Sequence, residues 1–310
     1  MNIYLAGASH QATTKWIQQQ GYDKLLSYMN DKSLIEKWIT NVKQKGDTGS
    51  KLFIDSGAFT AWTKGKEVDV DAYIQWLNER VDYIYLFGQV DSIPGNIDKA
   101  PTQSQVEEAA QKTWENYLYM RERVRNKDGL LYTYHVGEPQ KFLEQALNWT
   151  DENGEHIKYI ALGGMVSKAK PVKEAFLSRC FEAIKKSTNP NVKTHAFGMT
   201  SLDLLEKYPI TSADSTGWLM TAMTGSIFTE LGTVCVSEQT EKNPDNFTNL
   251  LPRKQKVVKD HLLELGYTYE QVRTDRYARE EVNAAYLSEW AKNYVYKETI
   301  SHQTKLFKMF

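Results

Sequence analysis

Apolar residues fall in short runs separated by amphipathic stretches along most of the chain. Runs at 1–7, 51–55, 83–87, 130–136, 157–162, 194–197 and 210–213 are rich in β-branched or aromatic residues and close on Gly, Ser or Asp. Length and composition predict strands there, and 225–236 has room for one more. Between 105 and 125, Val106, Ala110, Trp114, Tyr117 and Leu118 recur at spacings of three and four, which predicts a helix with one buried face. Pro139 opens a second helical pattern carrying Phe142, Leu143, Ala146 and Leu147. Pro171 opens a third, over 171–186, with Phe176 and Cys180 on its inner face. Strands alternating with helices imply βαβ units and a parallel sheet. Seven or eight such units predict an α/β fold, a (β/α)8 TIM-type barrel, with an open doubly wound sheet as the alternative. The polar, turn-rich stretch 238–244 reads as a linker, and 247–310 as two or three helices rich in Arg and Lys. The expected organisation is a barrel domain over 1–240 with a helical C-terminal extension, 241–310, packed on it.

Composition narrows the function. Of 310 residues, 41% are hydrophobic, enough for a large core, yet no apolar run approaches the roughly 18 residues of a membrane helix. The start, MNIYLAGASH, lacks a basic leader with an apolar core, so no secretory signal is expected. Two cysteines, Cys180 and Cys235, fit a reducing compartment and cannot build a multi-cysteine zinc site, so no metal is expected. A net charge of −1 means that any nucleic-acid binding needs a local basic face. Arg253, Lys254 and Lys256, with Arg273, Arg276 and Arg279, are the candidates. The interspersed acids Glu270, Asp275, Glu280 and Glu281 support the alternative of an ordinary solvated helix surface.

In parallel α/β folds, function gathers at the C-terminal ends of the strands. Those ends carry Asp55-Ser56-Gly57-Ala58-Phe59, Gly88-Gln89-Val90-Asp91, His135-Val136-Gly137-Glu138, Gly163-Gly164-Met165, Gly198-Met199 and Asp214-Ser215-Thr216-Gly217-Trp218. Singly, Asp55 reads as a helix cap, the glycine pair as a tight turn, Asp91 as a turn acid, and His135, His195, Phe59 and Trp218 as structural residues. Together, acids, glycines and aromatics on one rim suit a polar ring held against bare backbone with carboxylates aimed at it.

The order of these motifs resembles the tRNA-guanine transglycosylase family, the queuine and archaeosine tRNA-ribosyltransferases, which are (β/α)8 barrels. Their Asp-Ser-Gly-Gly-(Phe/Tyr) motif is similar to Asp55-Ser56-Gly57-Ala58-Phe59. Their Ala-Leu-Gly-Gly-Leu strand end is similar to Ala161-Leu162-Gly163-Gly164-Met165, and their Leu-Met-Gly-Val-Gly segment to Ala196-Phe197-Gly198-Met199-Thr200. Their nucleophile segment lines up with 209–215, so the resemblance spans roughly residues 50 to 220. It implies Asp214 as carboxylate nucleophile, Asp55 as general acid/base and Phe59 as the aromatic that stacks on the bound base. It implies Asp91 as the acid reading the base's Watson–Crick edge, with Gly163 and Gly164 offering backbone groups. Ser56, Met165 and Phe197 complete the implied base pocket, and His135 takes the place of a Gln-Gly contact that here is Val136-Gly137. The family's zinc cluster and its arginine segment after the nucleophile are absent. The parts that grip tRNA are therefore missing while the pocket is kept, a combination similar to the phage and bacterial 7-deazaguanine DNA transglycosylases.

The implied activity is exchange of guanine for a 7-deazaguanine, such as 7-cyano-7-deazaguanine, through a covalent Asp–sugar intermediate and without a cofactor. A base stacked in a duplex must be flipped out or met in a single strand. The expected partners are a nucleic acid, DNA ahead of tRNA, and a free 7-deazaguanine base. The resemblance allows a homodimer, and a cytoplasmic location (the bacterial host's cytoplasm if the chain is phage-encoded). The competing readings are a tRNA-acting enzyme, an N-glycosidase releasing the base to water, and a non-catalytic binding subunit, which would need neither Asp55 nor Asp214.

Overall fold

The structure is a computed structural model that describes residues 1–296 except 8, 9, 97 and 200. Thr200 of the third motif and residues 297–310 of the predicted extension thus lie outside the described residues. Eight parallel strands close a barrel in chain order: β1 (Asn2–Ala6), β2 (Lys24–Ser27), β3 (Leu52–Asp55), β4 (Leu86–Gly88), β5 (Leu130–His135), β6 (Tyr159–Gly163), β7 (Lys193–Ala196) and β8 (Ser212–Ser215). β8 pairs back onto β1, with Tyr4 opposite Asp214. Helices cover the barrel, among them Gln103–Arg123, Gln140–Asn148 and Lys170–Lys186 at the three predicted places.

Two strand expectations need correction. β2 was not predicted, because its four residues open with a charged side chain. Lys24 is nevertheless fully buried. Its ammonium donates to the carbonyls of Leu5 (2.8 Å) and Gly7 and stands 4.8 Å from the Trp218 ring. Burial pushes this lysine down to about 7. The one further strand expected in 225–236 is there as two, an antiparallel hairpin outside the barrel, β9 (Ser226–Thr229) and β10 (Gly232–Cys235).

Alternation along each strand decides what lines the barrel. Tyr4, Leu25, Phe53, Leu86, Leu131, Tyr159 and Ala161 fill the interior. Continuing that alternation toward the C-terminal ends gives Ala6, Ser27, Asp55, Gly88, His135, Gly163, Phe197 and Asp214. Four of these are small, and the other four, Asp55, His135, Phe197 and Asp214, are candidate site residues that alternation brings to one end of the barrel.

After the hairpin, the helices Pro252–Glu264, Tyr269–Thr274 and Arg276–Asn293 follow. Val258, Leu262, Val272 and Val282 form a separate small core with Ile227 and Val234 of the hairpin. Farther along the last helix, Ala284, Ala285, Leu287 and Ala291 join the core between barrel and helices. Among the described residues, no helix is long and apolar enough to cross a membrane.

Candidate active site

Asp55 ends β3, and the chain turns at once into the short helix Ala58–Thr63. Gly57 makes that turn with φ +77°, and a Cβ there would stand 2.7 Å from Met29 Cβ and 2.8 Å from Ser27 Oγ. The turn aims the Gly57 N–H back at Asp55 Oδ2 (3.0 Å), which fixes the carboxyl over the mouth. Burial raises the Asp55 carboxyl to about 7, with the charges of Asp91 and Asp214 pushing the same way and the Gly57 hydrogen bond opposing them. A carboxyl in this range exchanges a proton near neutrality.

Asp214 lies on β8, 7% exposed. Its Oδ1 accepts from the Gly198 N–H (2.9 Å) and sits 3.2 Å from His195 Nε2. His195 is fully buried, and its Nδ1 is 2.9 Å from Ser212 Oγ, which in turn is 2.7 Å from the Tyr159 hydroxyl. A buried polar chain thus runs along the barrel interior to the Asp214 carboxylate.

The third cluster is ionic. His135 Nε2 is 3.6 Å from Asp91 Oδ2, and its Nδ1 is 2.9 Å from Glu138 Oε1. Burial disfavours the imidazolium, but Asp91 and Glu138 outweigh it and push His135 up to about 10. At neutral pH the ring is a cation with an N–H directed toward Asp91. The Gln89 amide donates to the other Asp91 oxygen (3.2 Å). Gly163 makes room for this ring, since a Cβ there would meet His135 Cδ2 at 2.6 Å.

The structure brings Asp55, Asp91, His135, Gly163, Phe197 and Asp214 to one end of the barrel. Phe197 is partly exposed and packs on Phe53 and His195, with ring centroids 5.7 and 4.6 Å away. Phe59 stands 64% exposed on the helix after Asp55, with Trp62 5.8 Å away. Gly164 is exposed next to Gly163. Two predicted residues face elsewhere. The Ser56 hydroxyl is buried against the Ala58 N–H, and the Met165 side chain is fully buried in the core around the barrel.

Arg253, Lys254 and Lys256 are exposed on the Pro252–Glu264 helix, away from its buried Val258 and Leu262, and Lys256 pairs with Asp260 (2.6 Å). The other predicted cations are engaged. Arg273 pairs with Glu241 and Glu270, Arg276 with the buried Glu280, and Arg279 is buried with bonds to the carbonyls of Ala222 and Val272.

Sequence reasoning gave no part in the chemistry to His195, Ser212, Tyr159, Glu138 or Gln89. The signal for His195 was alternation: it lies two residues before Phe197 and therefore faces the same interior. Glu138 stood three residues after His135 in a rim segment already singled out. A cavity of about 600 Å3 opens at the opposite, N-terminal end of the strands, lined by Tyr85, Asn126, His156, Lys158, Tyr159 and Asn191. It touches none of the predicted carboxylates, and in barrels of this type the chemistry sits at the other end. Among the described residues, no group of three or more His, Cys, Asp or Glu is arranged to hold a metal ion. Neither a protein-family model nor a curated protein matches the chain.

Proposed function

We propose that the chain is a base-exchange enzyme that replaces guanine in DNA by a 7-deazaguanine. The observation that carries this reading is the pair of carboxylates at one barrel mouth in unlike surroundings. Asp55 is held near neutrality in its proton affinity, while Asp214 has one oxygen anchored by donors. Such divergence separates an acid/base from a nucleophile. An oxygen of Asp214 attacks C1′ of the deoxyribose as the C1′–N9 bond breaks, and Asp55 gives its proton to the departing guanine. The incoming deazaguanine then loses its N9 proton to Asp55 and attacks C1′, which releases the Asp214 carboxylate. Asp91, held by the His135 cation and the Gln89 amide, presents an acceptor to the edge of the base, and Phe59 presents an open ring for stacking. The preference for DNA rests on the missing tRNA-gripping segments noted in the sequence.

The test is mass spectrometry of nucleosides from DNA and tRNA incubated with the protein and 7-cyano-7-deazaguanine. Incorporation into DNA supports the proposal, and incorporation into tRNA alone moves the substrate. Release of free guanine without incorporation makes the enzyme an N-glycosidase.

A further inference from the structure

We infer that His195 is a positioning residue that locks one oxygen of Asp214, Oδ1, and thereby selects the other, Oδ2, as the oxygen that attacks the sugar. This rests on the reading of Asp214 as nucleophile. His195 is held on all sides: its ring meets Tyr4, Phe53 and Phe197 edge-on at centroid distances of 6.0, 4.8 and 4.6 Å. Its polar contacts are Ser212 Oγ at Nδ1 and Asp214 Oδ1 at Nε2.

Counting protons gives the direction of the chain. Ser212 has one hydroxyl proton and two partners. If Tyr159 donates to Ser212 and Ser212 donates to Nδ1, the neutral ring carries its proton on Nε2 and donates it to Asp214. Every link is then a hydrogen bond. If Ser212 instead donates to Tyr159, a neutral ring turns a lone pair on Nε2 toward a carboxylate oxygen. A buried site avoids that pairing.

Oδ1 thus takes two donors, the His195 ring and the Gly198 amide (2.9 Å), while Oδ2 accepts none among the described residues. In the covalent intermediate Oδ1 is the ester carbonyl. As the sugar leaves, charge returns to the carboxylate and the two donors are already in place for it, the logic of an oxyanion hole.

Two measurements test this. Imidazole 15N–1H spectra, in a chain with six histidines, should show His195 protonated on Nε2. An Nδ1–H tautomer overturns the proposal whatever the reaction proves to be. Exchange of labelled guanine into a guanine-containing single-stranded DNA oligonucleotide gives the second readout. His195→Phe should lower kcat about 100-fold, with KM for the base nearly unchanged, as removal of one such donor does. His195→Gln, which keeps a neutral N–H donor in that position, should stay within about tenfold of the wild type on the same reference. Equal activity of folded His195→Phe and wild type overturns the inference, as does equal loss in the Phe and Gln variants. If His195→Phe does not fold, Ser212→Ala takes its place: a shift of the His195 tautomer with slowed exchange supports the proposal, and wild-type exchange refutes it. Exchange persisting in Asp214→Asn defeats the nucleophile reading itself, a separate result.

Discussion

Asp214 and Asp55 differ because their neighbours differ, and each difference sets an expectation. Asp214→Asn keeps an acceptor near the Gly198 amide but cannot form the sugar ester. It should retain the wild-type thermal midpoint within a few degrees and lose base exchange. Asp214→Ala is the less clean variant: it strands two donors, the Gly198 amide and His195 Nε2, at about 1–3 kcal/mol for each buried group left unpaired. Comparing the midpoint and labelled-base exchange on the same samples separates chemistry from capping. Exchange that simply tracks the folded fraction would reduce Asp214 to a structural acceptor. For Asp55 the sign comes from linkage. Its folded-state pKa, about 7, lies above the ordinary 3.8, so between those values the native state binds more protons than the unfolded one. Stability therefore falls as pH rises through that window. Asp55→Asn removes the burden, so its midpoint relative to wild type should be higher at pH 8 than at pH 4. In the same variant, exchange should drop about 10²- to 10⁴-fold, the usual contribution of placed proton transfer. A midpoint difference independent of pH would contradict the raised pKa.

At the scale of elements, a strand is legible when its apolar run and its ladder coincide. β5 and β3 coincide almost fully with the runs at 130–136 and 51–55. β4 starts three residues later than the run at 83–87, and β8 starts two later than the run at 210–213. In both places the early apolar residues, Ile84 and Ile210, are buried in the core around the barrel before the ladder begins. Hydrophobicity alone cannot distinguish that packing from a strand. β2 was hidden by Lys24, whose charge reads as surface and whose backbone partners were not foreseeable from neighbouring residues. The acids of the site were legible because alternation and strand ends locate them. Their supporting shell was not, since Ser212 and Tyr159 meet across 53 residues of chain. Gly163 shows how tightly two elements must agree. Gly163→Ala places a methyl 2.6 Å from the His135 ring and 3.1 Å from Thr133 Cγ2, with β5 and β6 in register at this pair. Overpacking of this kind costs about 1–3 kcal/mol. The ring must also leave Asp91, so denaturant melts should show the loss together with a fall in the His135 pKa by NMR. An unchanged His135 titration would mean that β6 moves instead of the ring.

At the scale of the whole molecule, the expected division into 1–240 and 241–310 meets a core that the two parts share. The last helix, Arg276–Asn293, serves both sides. Its first turns close the small core over the hairpin, and its later turns lie in the core around the barrel. Asn283 is the hinge of this arrangement and is fully buried. It accepts from the Phe228 N–H (2.7 Å) and donates to the carbonyls of Trp218 and Ser226 (3.2 Å each). Trp218 in turn donates its indole N–H to the Ala6 carbonyl at the end of β1 (2.9 Å). One amide side chain therefore links the hairpin, the helix after β8 and, through Trp218, the first strand. From this we propose that barrel and extension unfold as one cooperative unit. A chain ending at residue 240 would bare Ile227, Val234 and the face of the barrel beneath Ala284 and Leu287, and is expected to aggregate when expressed alone. Asn283→Ala is the finer probe. It removes the side-chain partner of three backbone groups and should lower stability by about 1–3 kcal/mol, the cost of one buried group left unpaired. The melt should remain a single transition, because the helix still buries its apolar faces in both cores. Two resolved transitions, with base exchange surviving the first, would show instead that the barrel stands by itself and that the extension is a separate domain.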